Sequence, residues 1–132
     1  MIMRNSMKLP KSAENYLKAI LILYAKYGYV RSADVAEFLG VSRPSVCNAV
    51  SSLRERGYLC VGKHKMLQLT ESGREIAQKV YERHCFLTEF LIAIGVDPET
   101  AEKDACKIEH DLSHESFEKL KIYSKLHEQK VE

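Results

Sequence analysis

Cys106, Glu109 and His110 stand at i, i+3 and i+4 within the run Ala105-Cys106-Lys107-Ile108-Glu109-His110. On a helix, residues three and four apart share a face, so the three side chains would fall within an arc of about 100°. One helix could then offer a thiolate, a carboxylate and an imidazole to a single ion. Fe(II), Zn(II) and Co(II) suit such donors, whereas Mg(II) and Ca(II) prefer oxygen-only shells. A further donor has to come from elsewhere, and His84 on the preceding helical segment is the first candidate. The same spacing fits Cys106 as a small core residue with Glu109 and His110 as solvated neighbours. C-x-x-E-H is less specific than paired C-x-x-C motifs, so spacing alone leaves both readings open.

The elements that must position these residues follow from caps, stops and apolar periodicity. Met1 to Lys11 has no clear period, ends in Leu9-Pro10, and reads as a loose arm. Ser12 is expected to cap a first helix with Leu17, Ile20, Leu21, Leu23 and Tyr24 as its apolar face and Gly28 as its stop. Ser32 is expected to cap a second helix (Val35, Ala36 and Leu39 inside, Gly40 at the end). Ser42 caps a third, with Pro44 in the first turn, Val46, Val50 and Leu53 inside, and Gly57 closing it. Two short helices joined by a glycine-containing turn form a helix-turn-helix pattern. Tyr58-Leu59-Cys60-Val61 and Met66-Leu67-Gln68-Leu69 flank the polar turn Gly62-Lys63-His64-Lys65 and read as a β-hairpin, which makes the arrangement a winged helix. Thr70 opens a long helix to about Ile94, stopped by Gly95. Asp97-Pro98 starts the helix that carries Cys106 to His110, and Ser113 caps a last helix containing Phe117, Leu120, Ile122 and Tyr123. Glu128 to Glu132 is polar and reads as a fraying end.

The predicted fold class is therefore mostly α: a winged helix-turn-helix over residues 1–70, then a helical part over 71–132. With 132 residues, 45% hydrophobic and 29% charged, the chain can bury a real core, which argues against intrinsic disorder. A formal charge of +2 implies no partner by itself, so the placement of charge matters more. No charged leader precedes an apolar run, and no stretch approaches the roughly 20 apolar residues of a membrane span, so a cytoplasmic protein without membrane partners is expected. Cys47, Cys60, Cys85 and Cys106 are scattered, consistent with free or metal-bound thiols in a reducing compartment.

The third helix turns Arg43, Ser45, Cys47, Asn48, Ser51 and Ser52 away from its apolar side. Small hydroxyls permit close approach to a groove, Arg pairs with guanine or phosphate, and Asn pairs with adenine. Arg43 and Asn48 are the candidates for base contacts, with Ser42 and Ser45 on phosphate and Ser51 on the same face. Lys63, His64 and Lys65 on the wing are suited to follow the backbone of double-stranded DNA. Taken only as a solvated face, these residues would carry no function.

Several segments in order resemble the metal-dependent repressors of the diphtheria toxin repressor and manganese transport regulator type, over nearly the whole chain. They are Ser12-Ala13-Glu14-Asn15-Tyr16-Leu17, Ala33-Asp34-Val35-Ala36, Pro44-Ser45-Val46, Leu69-Thr70-Glu71-Ser72-Gly73, Arg83-His84, Ile94-Gly95-Val96-Asp97 and Cys106 through Ser113. The resemblance implies a homodimer built by the helices after the wing, in which a bound metal favours operator binding and repression. It implies no SH3-like tail, a feature of the iron branch, and a length like that of the manganese branch. Position by position, His84, Glu109 and His110 match ligands used across the family. Cys106 matches the cysteine of the iron branch, where the manganese branch has a glutamate. Asn15 occupies the ligand position of the first helix, which is Met in the iron branch and Asp in the manganese branch. Lys18 stands where the manganese branch has a second carboxylate, and it offers no ligand while protonated. At the ancillary site of the iron branch His84 is kept, Thr88 replaces a glutamate, and Glu102 replaces a histidine.

The resulting expectation is a metal-responsive repressor of metal-uptake genes. Its metal ligands are His84, Glu102, Cys106, Glu109 and His110, with Asn15 as a movable contact on the helix leading to the DNA reader. Such an ion would set the spacing of two recognition helices for grooves about 34 Å apart on a pseudo-palindromic operator. Thiolate and imidazole favour Fe(II), Co(II) or Zn(II) over Mn(II), while the short chain points the other way; Fe(II) is preferred. No small-molecule substrate is expected. Two rivals are a thiol-sensing or metal-independent winged-helix regulator, using Cys106 or Cys85 beside Arg83 and His84, and a zinc hydrolase with Glu109 as base. The hydrolase lacks any visible glycine-rich substrate loop or second catalytic cluster.

Overall fold

The structure, a computed structural model, describes residues 9–131, and of residues 129–131 only the backbone. The chain divides into two compact units, Met1–Lys79 and Val80–Glu132. Among the described residues there are six α-helices and a two-stranded sheet, in the order α1 (Lys11–Tyr27), α2 (Ser32–Leu39), α3 (Arg43–Glu55), β1 (Leu59–Val61), β2 (Leu67–Leu69), α4 (Glu71–Ala93), α5 (Pro98–Ile108) and α6 (His114–Val131). The mostly helical fold with a winged helix-turn-helix is as the periodicity predicts. No helix among the described residues is long and apolar enough to cross a membrane.

In the first unit, Leu17, Ile20 and Leu23 on α1, Val35 on α2, Val46 and Leu53 on α3, and Leu59 and Leu67 on the strands form one buried cluster. Helical spacing on three short helices and alternation on two short strands thus supply a single core. β1 and β2 pair antiparallel with Leu59 opposite Leu69 and Val61 opposite Leu67. The Val30 carbonyl accepts the Leu67 amide at 2.7 Å, which ties the segment before α2 to the wing.

Two expected caps are displaced toward the N-terminus, the first by two residues and the second by one. α1 begins at Lys11 rather than after Ser12, because extended Pro10 occupies the capping position without a side-chain bond. Lys11 therefore lies in a helix, Pro10 caps it and Leu9 is buried in the core cluster, so none of the three belongs to a loose arm; residues 1–8 of that predicted arm lie outside the described residues. α2 includes Ser32, and Arg31 precedes it, its amide donating to the Asp34 carboxylate at 2.9 Å. An acid three residues on competes with the serine for the helix start. Ser42, Thr70, Asp97 and Ser113 each accept first-turn amides as expected. Glu128 to Val131 continues α6, and Glu132 lies outside the described residues.

Gly73 allows α4 to start where it does. A Cβ there would lie 2.0 Å from the Tyr58 carbonyl oxygen, so the first turn of the helix rests directly on backbone. In the second unit, Ala101 and Ala105 are fully buried and make a smooth stripe on α5, while Phe86 stacks on Phe90 at 5.8 Å and meets Phe117 edge-on at 5.5 Å.

Candidate metal centre and nucleic-acid face

α4 contributes His84 and α5 contributes Cys106, each about half-buried. α5 ends at Ile108, two residues earlier than the spacing implies; Glu109 keeps helical angles as the C-cap residue, and His110 lies in the following turn. Arg83 holds that turn. Its Nη1 donates to the Glu109 carbonyl at 3.2 Å and to the Leu112 carbonyl, and its guanidinium lies over the Phe117 ring at 5.1 Å. A helix end leaves carbonyls without intrahelical donors, and a guanidinium supplies several donors in one plane. The sequence marks Arg83 only as part of the Arg83-His84 segment and as a neighbour of Cys85; its hold on the carbonyls of Glu109 and Leu112 has no local signal.

Glu109 is the centre of the cluster. Its side chain is fully buried, with one carboxylate oxygen 2.9 Å from His84 Nδ1 and the other 3.1 Å from His110 Nε2. Cys106 Sγ lies 3.7 Å from the same Nδ1 of His84. Donor atoms of His84, Cys106 and Glu109 all lie within 4.8 Å of one another. A buried carboxylate shared between two imidazoles is costly unless it is paired, and here it is paired on both oxygens. With metal bonds of about 2.0–2.3 Å, donors around one ion stand roughly 3–4 Å apart, so this set fits a borderline divalent metal with small movements. The thiolate, imidazole and carboxylate also match what such metals accept.

The remaining predicted ligands are placed differently. His110 meets the cluster through the second oxygen of Glu109 instead of joining the triad directly. Glu102 faces the other ring nitrogen of His84, Nε2, at 3.9 Å, with a mostly exposed side chain. It belongs to the opposite edge of that imidazole from Cys106. Thr88 donates to the His84 carbonyl at 2.7 Å, which fixes the backbone under the histidine. Asn15 is half-buried on α1 and Lys18 beside it is buried, both in the first unit.

On the nucleic-acid face, Arg43, Ser45, Asn48 and Ser51 are exposed on α3, opposite buried Val46 and Leu53. Ser42 is committed to capping, its oxygen accepting the Ser45 amide at 3.2 Å while its hydroxyl donates to Ser45 Oγ at 2.9 Å. Lys63, His64 and Lys65 form a single exposed 3-10 turn at the wing tip.

Residues 8–67 match the model of an iron dependent repressor, N-terminal DNA binding domain, and residues 70–128 that of an iron dependent repressor, metal binding and dimerisation domain. The HTH-type transcriptional regulator MntR of Lysinibacillus sphaericus is 38% identical over 109 residues, covering 83% of this chain and 78% of its own length. That of Geobacillus kaustophilus is 39% identical, covering 83% and 77%. Among solved structures, the manganese regulator SloR superposes with a TM-score of 0.78 at 25% identity, over 86% of this chain and 53% of its own. T. acidophilum IdeR gives 0.70 at 28%, over 80% and 50%. The chain thus spans about half the length of these two solved chains. Family models for DNA binding and dimerisation set aside the zinc-hydrolase alternative; relatives of this chain are regulators, not enzymes. With Cys106, Glu109 and His84 gathered in the second unit and a winged helix in the first, the chain belongs to the iron-dependent repressor family of metal-dependent, DNA-binding transcriptional regulators.

Proposed function

We propose that the chain acts as a homodimeric repressor of metal-uptake genes in the cytoplasm, with operator affinity raised by a divalent transition metal at His84, Cys106 and Glu109. The convergence of those three donors within 4.8 Å carries the reading. His110 supports it through Glu109, Glu102 is an outer candidate on the far edge of His84, and Asn15 is the candidate contact from α1. Bound there, the ion supplies positive charge that neutralises the buried carboxylate and thiolate. Arg83 keeps the turn bearing Glu109 and His110 in place, and Thr88 does the same for His84. Lys18 is buried on α1 and offers no ligand while protonated, which supports one principal ion per subunit over a paired manganese site.

The donor set favours Fe(II), Zn(II) or Co(II) over Mn(II), because a thiolate is a soft ligand; availability in the cell decides among the three, and Fe(II) is the first reading. Mn(II) is the second reading, supported by two solved relatives, the manganese regulator SloR and a manganese-dependent transcriptional repressor in complex with manganese. Operator affinity measured in chelator and with Fe(II), Mn(II), Zn(II) and Co(II) decides between them, with the ion count per subunit taken from the same samples. Equal affinity in every condition, chelator included, refutes the proposal. Loss of binding on mild peroxide without any metal effect would instead support thiol sensing; Cys85, half-buried and bonded to the Tyr81 hydroxyl, whose pKa it raises, is then the candidate beside Cys106.

DNA contact is assigned to Arg43 and Asn48 on base edges, to Ser42, Ser45 and Ser51 along α3, and to Lys63, His64 and Lys65 on phosphates of a pseudo-palindromic operator. Exposure of one polar face opposite Val46 and Leu53 supports it. Lys63→Ala is expected to weaken all sequences alike and to lower the salt slope by about one.

A further inference from the structure

The wing tip carries two residues in a backbone conformation that side chains with a Cβ rarely adopt. His64 has φ 58° and ψ 28°, and Lys65 has φ 60°. Left-handed geometry is disfavoured for such residues, and the hairpin offsets it with its own bonds from the Gly62 amide to the Met66 carbonyl and from the Met66 amide to the Lys63 carbonyl, beside which a contact from outside the hairpin acts as a further restraint. Arg31 provides one, its Nε donating to the His64 carbonyl at 3.1 Å from a position 33 residues earlier.

Arg31 is itself well anchored. Its amide is held by the Asp34 carboxylate at 2.9 Å, and its guanidinium lies over the Tyr29 ring at 5.8 Å. Immediately before it, the Val30 carbonyl takes the Leu67 amide. The segment leading into the first helix of the helix-turn-helix therefore grips the wing twice, once at β2 and once at the tip. We infer that Arg31 is a positioning residue for DNA binding: it holds the Lys63-His64-Lys65 turn in its left-handed form, at a fixed place relative to α3. This rests on the reading that the wing lies along the DNA backbone.

An arginine here could also touch a phosphate itself, and Arg31→Lys separates the two roles. Lysine keeps the positive charge but has no donor at the Nε position. The test uses the metal-loaded full chain and a duplex selected by the wild-type protein from a random-sequence pool. Arg31→Lys is expected to bind about fivefold more weakly, the equivalent of one hydrogen bond. Amides of Gly62 and Met66, bonded across the turn to the Met66 and Lys63 carbonyls, should exchange about fivefold faster in the free protein. A double-mutant cycle with Lys63→Ala should be non-additive, since a displaced wing no longer profits from Lys63. Wild-type affinity for Arg31→Lys, unchanged exchange at Gly62 and Met66, or strict additivity would each overturn the inference. An inert Lys63→Ala would instead remove the wing's assigned contact, and wing-tip exchange would still decide the clamp. Should Arg31→Lys lower the melting temperature by more than a few degrees, Arg31→Gln replaces it in the same cycle.

Discussion

Replacing Glu109 by glutamine keeps the shape of the cluster and removes its charge, so ion binding and folding respond differently. In the metal-free protein the carboxylate accepts from two rings, at 2.9 and 3.1 Å, with no solvent exposure. Glutamine can accept from one imidazole and donate to the other, because a neutral imidazole offers a donor on one nitrogen and an acceptor on the other. Two charge-assisted bonds become two neutral ones, a loss of about 1 kcal/mol each, offset by relief from burying an anion. Net stability should change by about 1 kcal/mol or less, a shift of roughly 3–5 °C at most for a chain of this size. Metal binding has no such offset. Losing even an outer partner of a metal ligand costs about 10–100-fold in affinity, and losing an anionic ligand should cost at least about a hundredfold. At free metal ten times the wild-type Kd, occupancy would fall from about 90% to about 10%. Chelator competition measures the affinity, and fluorescence anisotropy on the selected duplex measures the response; a hundredfold higher metal concentration should restore DNA binding. Wild-type metal affinity in Glu109→Gln would refute the ligand assignment. A hundredfold loss with an unshifted metal dependence of DNA binding would show that this cluster does not control the reader.

Cys106→Ser should weaken Zn(II) and Co(II) far more than Mn(II), since a hydroxyl is a poor substitute for a thiolate; the near-ultraviolet thiolate-to-cobalt band should vanish, and a band that survives would exclude Sγ from the shell. Arg83→Met keeps an apolar stem over Phe117 but frees the carbonyls of Glu109 and Leu112; about a tenfold loss of metal affinity, with all ligands intact, is the expected result, and an unchanged affinity would mean the turn holds without it. Gly73→Ala drives a Cβ to 2.0 Å from the Tyr58 oxygen, so thermal melting should fall by about 10 °C or more through a cost of about 3 kcal/mol; a normal melting curve would show that α4 can slide off the wing freely.

What could be read from the sequence was what is encoded locally. Ser42, Thr70, Asp97 and Ser113 each cap amides two or three residues on, a relation complete within one turn of chain. Ser12 and Ser32 failed as caps for an equally local reason, since Pro10 and the Arg31–Asp34 pair define those starts two residues and one residue earlier. Helical spacing placed Cys106, Glu109 and His110 on one side, yet it could not foresee that α5 stops at Ile108 and that His110 meets the second oxygen of Glu109. The placement of His84 is a long-range fact, suggested by segment order and settled by packing. The roles of Arg83 and Arg31 were beyond reach, because each acts on backbone carbonyls, at Glu109 and Leu112 in one case and at His64 in the other. Every residue owns a carbonyl, so a side chain that fixes a turn by gripping main chain leaves no pairing of residue types to find. Both arginines hold turns whose own side chains carry the chemistry, and only the folded chain reveals which carbonyls they hold.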